Sequence, residues 1–297
     1  MSTGVQSGWL KAMPALFVLI WSTGFIVARY GMPHAPPMKF LALRYVLSTA
    51  AFGAWAWLAG ARWPQDRRQW WHLAVVGVLM HAGYLGGVWS AVKLGMGSGL
   101  VALLVGLQPV LTAVWLSSRG GRVTPRQWLG LAMGLAGLTL VVWQKLGHGE
   151  IGVGNFLLAL LALISITVGT LYQKRYLQPC DVRTAGFIQL IAALAVTLPL
   201  AMLEGEAVVW HPQMGAALAW SVVMLTMGGS SLLYLLIQKG AAASVTSLLY
   251  LVPPTTAFMA WFLFGEVVTA GTVLGTVVTV IGVILVVRAG TVTDSVN

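Results

Sequence analysis

The sequence predicts an all-α integral membrane protein with ten transmembrane helices, and three observations carry this prediction. First, 58% of the 297 residues are hydrophobic and only 8% are charged, whereas soluble domains carry about 25% charged residues. A very hydrophobic soluble enzyme is disfavoured, because so few charges cannot cover a surface. Second, apolar stretches of about 20 residues recur, which is the length an α-helix needs to cross a bilayer. Third, Lys and Arg are distributed unequally between alternate loops.

The ten predicted spans follow one another with short loops. They cover residues 12–31, 38–60, 70–92, 97–118, 125–144, 152–175, 182–203, 213–238, 242–264 and 269–289. The separations are weakest at "KLGMGSG" and "QKGAAAS". The first span follows Lys11 and lacks a small-residue cleavage site before a soluble domain, so we expect a retained helix and not a signal peptide.

The positive charges predict the orientation. Twelve of the 17 Lys and Arg residues fall on one side: Lys11, Arg62, Arg67, Arg68, Arg119, Arg122, Arg126, Lys174, Arg175, Arg183, Lys239 and Arg288. Four fall on the other side, namely Arg29, Lys39, Lys93 and Lys145, while Arg44 lies within the second span. Positive residues collect in the cytoplasm, so we expect a bacterial-type inner-membrane protein with both termini cytoplasmic. The net charge of +10 then reflects topology and not a nucleic-acid partner.

The two halves of the chain also resemble each other. "SGLVALLVGLQPVLTAVWLSSRGG" (98–121) aligns with "AASVTSLLYLVPPTTAFMAWFLFG" (242–265), which pairs Pro109 with Pro253. Chance similarity of apolar segments is the alternative, and the shared proline disfavours it. We therefore expect two five-helix repeats, residues 1–148 and 149–297. Because five is odd, the second repeat is inverted, which is typical of transporters with a substrate site between the halves.

Several motifs belong together: "LIWSTGF" (19–25), "ALRYVLS" (42–48), the prolines Pro109 and Pro253, and "FLFGE" (262–266). As a set they resemble the drug/metabolite transporter superfamily, and within it the EamA-type ten-helix exporters. The "WST" motif and the aromatic third span are most similar to YddG-type amino-acid exporters. The resemblance covers essentially the whole chain and implies amino-acid export. The first half has "GGR" (120–122) where the second has Gly265 and Glu266, which leaves the role of Glu266 open.

No catalytic, cofactor or metal motif occurs in the sequence, so we expect a protein that is not an enzyme and that needs no cofactor. No Asp or Glu falls at the centre of a predicted span. Because intramembrane carboxylates are the usual proton relays of coupled transporters, downhill movement or exchange is favoured. His81 remains the one candidate for a titrating group at depth.

The expected substrate cavity is lined by neutral polar and aromatic residues: Trp21, His81, Tyr84, Gln108, Ser165, Tyr234 and Tyr250. His81 and Tyr84 are three residues apart and share a helix face, which should point into the bundle because its exposure to lipid is unfavourable. Packing by helix–helix hydrogen bonds is the alternative for these two residues, and packing or lipid contact is the alternative for Trp21. Gln108 precedes a proline, so its amide has either a substrate or a freed backbone carbonyl as partner.

Structural or gating roles are expected for five other residues: Arg44, Pro109, Pro253, Pro254 and Glu266. Pro109, Pro253 and Pro254 bend their helices. Arg44 lies near a helix end, where we expect it to bond helix-end carbonyls or Glu266, although a carboxylate ligand is the alternative.

The sequence therefore predicts an exporter of small metabolites, most of all amino acids, which works by alternating access. Only Arg44 is available to bind phosphate, and phosphorylated substrates would need several buried cations. The alternatives are an exporter of drugs or lipophilic cations and a membrane scaffold without a pathway. The expected partners are the small-molecule substrate and the lipid bilayer, with the chain a monomer or a homodimer.

Overall fold

The computed structural model describes residues 3–118, 124–146, 151–232 and 251–293, and within these ranges the chain is almost entirely helical, without a β-strand. The helices are α1 (Thr3–Gly31), α2 (Pro37–Leu58), α3 (Arg67–Lys93), α4 (two segments, Ser98–Val105 and Gln108–Ser118), α5 (Pro125–Leu146), α6 (Val153–Tyr176), α7 (Val182–Leu203), α8 (Pro212–Leu232), α9 (Val252–Phe264) and α10 (Ala270–Thr293).

Six of these helices, α2, α3, α5, α6, α7 and α8, are long and apolar enough to cross a membrane. Shorter apolar stretches lie in α1 (Leu16–Gly31), α4 (Ser98–Thr112), α9 (Val252–Phe264) and α10 (Ala270–Val286). For the described residues, the expectation of a helical chain with helices long and apolar enough to span a membrane is thus confirmed. Most described helix ends lie within a few residues of their predicted positions, but α1 begins at Thr3 and not at residue 12, and the predicted start of the ninth span, residue 242, lies outside the described residues.

Local chemistry sets where several helices begin. α3 and α7 each follow an aspartate, Asp66 and Asp181, whose carboxylate accepts the backbone N–H two residues further on, as expected of N-capping residues. α2 begins at Pro37, and the Glu204 carboxylate at the end of α7 accepts the next two N–H groups of α2 at 2.9 and 2.8 Å. One acidic side chain therefore caps a helix in the other half of the chain.

The helices pack in a pattern that pairs elements five apart in chain order. α2 packs on α7, α4 on α9, and α5 on α10. α1 packs on α8 and α9, while α6 packs on α3 and α4, and α1 also touches α3 and α4. Exchanging the first five helices with the second five thus reproduces the main contacts, as an approximate two-fold axis would do.

The α5–α10 contact is a seam of glycines. A Cβ atom at Gly137 would lie 2.5 Å from the Gly275 carbonyl oxygen, and one at Gly130 would lie 2.5 Å from that of Gly282. The two backbones touch because no side chain separates them, which is the usual function of small residues spaced four apart in membrane helices. The glycines of 130–137 therefore pack α5 against α10 of the same chain.

α3 and α8 each contain a π-helical stretch, Val78–Gly83 in α3 and Ser221–Gly229 in α8. Adding the repeat offset (242 − 98 = 144) to the first stretch gives 222–227, which falls inside the second. π-Helical turns are rare in proteins overall, but those that occur are often found at functional sites. The two stretches therefore correspond to each other under this sequence offset.

The acidic residues Glu204, Glu206 and Glu266 gather at one end of the bundle, which we call the acidic end. The Lys93 Nζ atom lies 2.7 Å from Glu206 Oε2, and the Arg29 Nη1 atom lies 3.0 Å from Glu266 Oε1. These residues come from loops that the charge pattern assigns to one side of the membrane. At the opposite, basic end, the loop 177–181 lies against the start of α3, joined to it by a hydrogen bond from Gln69 Nε2 to the Gln178 carbonyl at 2.8 Å.

Candidate functional site

A cavity lies between the helices of the two halves, with walls from α1, α2 and α3 on one side and α6, α7 and α8 on the other. Its volume is about 130 Å³. Its apolar lining consists of Trp21, Gly24, Phe25, Phe52, Met80, Leu85, Val88, Trp89, Val182, Ala185, Gly186, Leu190 and Leu225. Its polar lining consists of Arg44, His81, Tyr84, Gln173, Gln189, Thr226 and Ser230. Small-molecule sites have this composition, an apolar wall with a few polar groups.

The structure brings three of the predicted residues, Trp21, His81 and Tyr84, together in this cavity. Trp21 extends from α1 and lies 5.2 Å from the Phe17 ring, measured between ring centroids. The His81 and Tyr84 side chains enter from α3, and the Trp21 side chain interacts with that of Tyr84. A flat aromatic wall beside two polar groups suits a ligand with an apolar part and a polar part.

The π-helical stretch of α3 contributes to this geometry. It includes Met80 and His81, and Tyr84 follows it directly, so all three reach the cavity. The Tyr45 hydroxyl donates to the His81 backbone carbonyl at 2.8 Å. This bond satisfies a carbonyl in a region where the ordinary helical pattern is interrupted.

Arg44 also lines the cavity, although its sequence position favoured a structural role near a helix end. Its side chain is buried, with the residue 5% exposed. The Arg44 Nε atom donates to Thr226 Oγ1 at 3.1 Å, and Thr226 Oγ1 in turn donates to the Ser221 carbonyl at 2.8 Å within the π-helical stretch of α8. The expected bond from Arg44 to Glu266 is wrong, because Glu266 pairs with Arg29 at the acidic end.

Gln173, Gln189 and Thr226 line the cavity from the second half, although they were not among the residues predicted from the sequence. The His81 side chain interacts with that of Gln189. The sequence offset of the predicted repeat offered one signal: subtracting 144 residues from Gln189 gives Tyr45, whose hydroxyl donates to the His81 backbone carbonyl. A polar residue at an equivalent position in the second half was therefore a reasonable candidate.

Two predicted residues are placed elsewhere. The Gln108 Nε2 atom donates to Thr170 Oγ1 at 2.8 Å, which ties α4 to α6. Ser165 is buried, and its Oγ would lie 2.6 Å from a Cβ at Gly83, so it packs where α6 meets α3. Neither is among the described residues that line the cavity. Both polar groups contribute to helix packing in this structure.

Tyr234 and Tyr250 lie outside the described residues. Pro253 lies against Gly106, where α4 is interrupted: a Cβ at Gly106 would be 2.8 Å from Pro253 Cγ. Pro254 follows in the first turn of α9. Pro253 therefore lies where α9 crosses the interruption of α4.

Glu266 joins three elements at the acidic end. Its carboxylate pairs with Arg29 of α1 and accepts both the backbone N–H and the hydroxyl of Ser98 at 3.0 Å. The N–H belongs to the first turn of α4, where a negative charge is favourable. Nearer the cavity, Trp89 is 1% exposed and stacks on Phe40 with ring centroids 4.4 Å apart, which closes the lining on this side.

Within the described part of the chain, no group of three or more His, Cys, Asp or Glu side chains is placed to hold a metal ion. The polar groups of the cavity are suited to binding and orienting a small molecule.

Comparison with known proteins gives a family match over both halves. The model of the EamA-like transporter family matches residues 10–143 and again residues 154–288. A solved crystal structure that is 20% identical superposes with a TM-score of 0.66 and covers 95% of this chain and 97% of its own. At that identity the likeness concerns the fold.

Curated relatives are also transporters. The chain is 30% identical over 284 residues to the "Uncharacterized inner membrane transporter YedA" of Escherichia coli strain K12, covering 93% of this chain and 90% of that protein. It is 27% identical over 195 residues to the "Probable amino-acid metabolite efflux pump" of Salmonella typhimurium strain LT2, covering 64% and 63%. With the helical architecture and the cavity between its halves, the chain belongs to the EamA-like transporter family and is a membrane transporter.

Proposed function

We propose that the protein exports amino acids, including apolar and aromatic ones, across a bacterial inner membrane by alternating access. The cavity carries this proposal, because Trp21, His81 and Tyr84 from one half meet Gln173, Gln189 and Thr226 from the other around a single space. Binding between two halves that move against each other is the basis of alternating access. The printed names of two relatives as amino-acid metabolite efflux pumps support the substrate class.

The proposed architecture has ten spans in two inverted five-helix repeats, residues 1–148 and 149–297, with both termini cytoplasmic. The double family match and the five-apart packing pattern support the repeats. The separation of acidic and basic ends supports an even number of spans. In this arrangement Glu266 and its partners form a gate at the outer end of the cavity, and the prolines of α4 and α9 shape the crossing beneath it.

Transport proceeds by facilitation or exchange and not by carboxylate-based proton coupling. The described lining of the cavity contains no Asp or Glu side chain. Proton-coupled transporters commonly place such groups at membrane depth. His81 is the lining residue that titrates near neutral pH in water.

Flux in liposomes tests this function. The purified protein is reconstituted, and movement of a panel of radiolabelled amino acids is followed without and then with an imposed pH gradient. Uptake without a gradient, absent from protein-free liposomes, is the expected result. Movement only under a pH gradient contradicts the uncoupled mechanism. If no amino acid moves under either condition, the amino-acid assignment is wrong, and drugs and other metabolites are tested as substrates next.

A further inference from the structure

Arg44 is a buried cation for which the described chain provides no acidic partner. Five of the seven carboxylates are described, and each has another role: Asp66 caps α3, Asp181 pairs with Arg183, Glu204 caps α2, Glu206 pairs with Lys93, and Glu266 pairs with Arg29. The other two, Glu150 and Asp294, follow the predicted fifth and tenth spans in sequence. An arginine keeps its charge in proteins, and a buried charge is costly unless it is paired.

The orientation of the guanidinium group is fixed from one side. Its Nε–H group donates to the Thr226 hydroxyl, and the Thr226 hydrogen is directed to the Ser221 carbonyl. This arrangement occupies one of the five N–H donors of Arg44. The two terminal amino groups carry the other four, in the fork that matches the two oxygens of a carboxylate.

The residues around Arg44 determine which other groups a molecule with such a carboxylate can carry. Trp21, Phe52 and Trp89 supply aromatic wall, and the polar lining apart from Arg44 consists of neutral amide, hydroxyl and imidazole-bearing residues. An ammonium group would find no carboxylate among the described lining residues, only neutral oxygens and ring faces. The site therefore has one strong attachment point for charge, and it is specific for an anion.

We infer that Arg44 binds the carboxylate of the transported molecule and that the protein carries monocarboxylates with an apolar side chain, for which an α-amino group is not required. This inference rests on the proposed transport function and specifies its substrate class. Amino acids are then one subset of the substrates. Amino-acid amides and other lipophilic cations are excluded, because they would bring a second positive charge beside Arg44. Thr226 is the positioning residue that orients the guanidinium.

Three analogues of one skeleton test the ligand side of this inference on the unmodified protein: leucine, its deaminated analogue 4-methylpentanoate, and its cationic analogue leucinamide. Uptake of radiolabelled leucine is measured against each unlabelled competitor, since competition avoids the passive diffusion of uncharged forms. We expect 4-methylpentanoate to compete within about tenfold of leucine and leucinamide to compete at least about tenfold more weakly than either. Equal competition by leucinamide, or no competition by 4-methylpentanoate, overturns the inference.

Variants test the residue side. Arg44→Gln should lower leucine uptake at least about tenfold, and Arg44→Lys should retain part of it, because the charge remains but the paired N–H groups are lost. Thr226→Val should raise the half-saturating leucine concentration while preserving the discrimination against leucinamide. Arg67→Gln, which removes an exposed arginine at the basic end, should leave uptake unchanged. Normal uptake by Arg44→Gln overturns the assignment.

Thermal stabilisation in detergent separates the failure of this inference from the failure of the amino-acid function. If leucine is not transported, 4-methylpentanoate should still raise the melting temperature of the unmodified protein, whereas leucinamide should not, and Arg44→Lys should weaken the shift. Such a result keeps Arg44 as a carboxylate site in a transporter of other acids. If leucine is transported but stabilisation does not distinguish acid from amide, the amino-acid function stands and the Arg44 assignment is wrong. Should Arg44→Gln not fold, the analogue series and Arg44→Lys still decide.

Discussion

Two regions between the halves of this protein, the α5–α10 seam and the cavity, have opposite construction. At the α5–α10 seam, Gly137 and Gly275 let the backbones touch, and a Cβ would overlap the opposite carbonyl. At the cavity, large side chains such as Trp21 and Tyr84 line an open space between α1–α3 and α6–α8, although these helices pack directly on one another elsewhere. In lipid, helices associate by close packing and hydrogen bonding. The difference indicates that the seam holds the halves together and that the cavity is the place left for a ligand.

The largest expected effect comes from separating the seam. Gly137→Leu should greatly reduce the yield of folded, monodisperse protein, because the new side chain would have to displace the Gly275 backbone and the Thr279 hydroxyl, each 2.5 Å from the ideal Cβ, and core overpacking is destabilising. Size-exclusion profiles and melting temperatures in detergent measure this. Gly215→Leu is the matched control, since Gly215 is exposed and a Cβ there meets nothing within 4 Å. If both variants fold equally well, the seam does not hold the halves.

The next largest effect is a loss of transport in a protein that remains folded. Trp21→Ala removes an aromatic wall of the cavity, so amino-acid uptake should fall by about tenfold or more while the protein remains folded. Trp143→Ala is the control, because Trp143 on α5 is 75% exposed and faces away from the bundle. Liposome uptake is normalised to reconstituted protein. Equal loss of uptake in both variants would mean that tryptophan removal acts generally and not through the cavity.

A smaller effect is expected at His81. The residues packed around it include Arg44 and Tyr45 from α2, Tyr84 from α3 and Gln189 from α7, and only histidine among these titrates between pH 5 and 8 in its ordinary state. His81→Gln preserves polarity and removes that titration. Any variation of uptake between pH 5 and 8 should therefore become flatter, measured at equal pH on both sides of the membrane. An unchanged profile excludes His81 as the origin of the pH dependence.

The smallest effect lies at the basic end, apart from both regions. The hydrogen bonds and ion pair from Arg183 lower the pKa of the Asp181 carboxyl below its ordinary value. A lowered folded-state pKa contributes stability above the unfolded pKa, and this contribution is lost as the pH falls through the folded pKa. Because the pair is partly exposed, Asp181→Asn should cost about 0.5 kcal/mol or less at pH 7. The difference between the melting temperatures at pH 7 and below pH 4 should be smaller in Asp181→Asn than in the unmodified protein, and uptake should be unchanged. An equal difference would show that the Asp181–Arg183 pair does not contribute to the pH dependence of stability.

The cavity could be predicted from the sequence only where one helix carried the signal. Trp21, His81 and Tyr84 are polar or aromatic residues inside apolar stretches, and their spacing indicates one face without any knowledge of the neighbouring helices. Gln108 carries the same kind of signal, but its amide reaches Thr170 on α6. A pattern along one helix shows which side is polar, and it does not show what that side meets.

Arg44 illustrates the limit more clearly. Its position seven residues into α2 favoured a role at the helix end, and the sequence provided acids that it might pair with. Only the packed structure shows that Glu266 is bound to Arg29 and Ser98, which leaves Arg44 with Thr226. Accounting for every carboxylate requires the contacts between all helices, and these are absent from the pattern of any single segment.

The paired π-helical stretches have a rotational consequence. Such a stretch contains about one residue more than an α-helix of the same height, so rewinding it as a regular α-helix turns the part beyond it by about 100° and advances it by about 1.5 Å. In α3 that part begins with Tyr84 and carries Trp89. In α8 it begins at Ser230, another lining residue. Rewinding of either stretch would therefore turn ligand-facing side chains around the helix axis, and the helix itself would need neither to tilt nor to slide by a full turn.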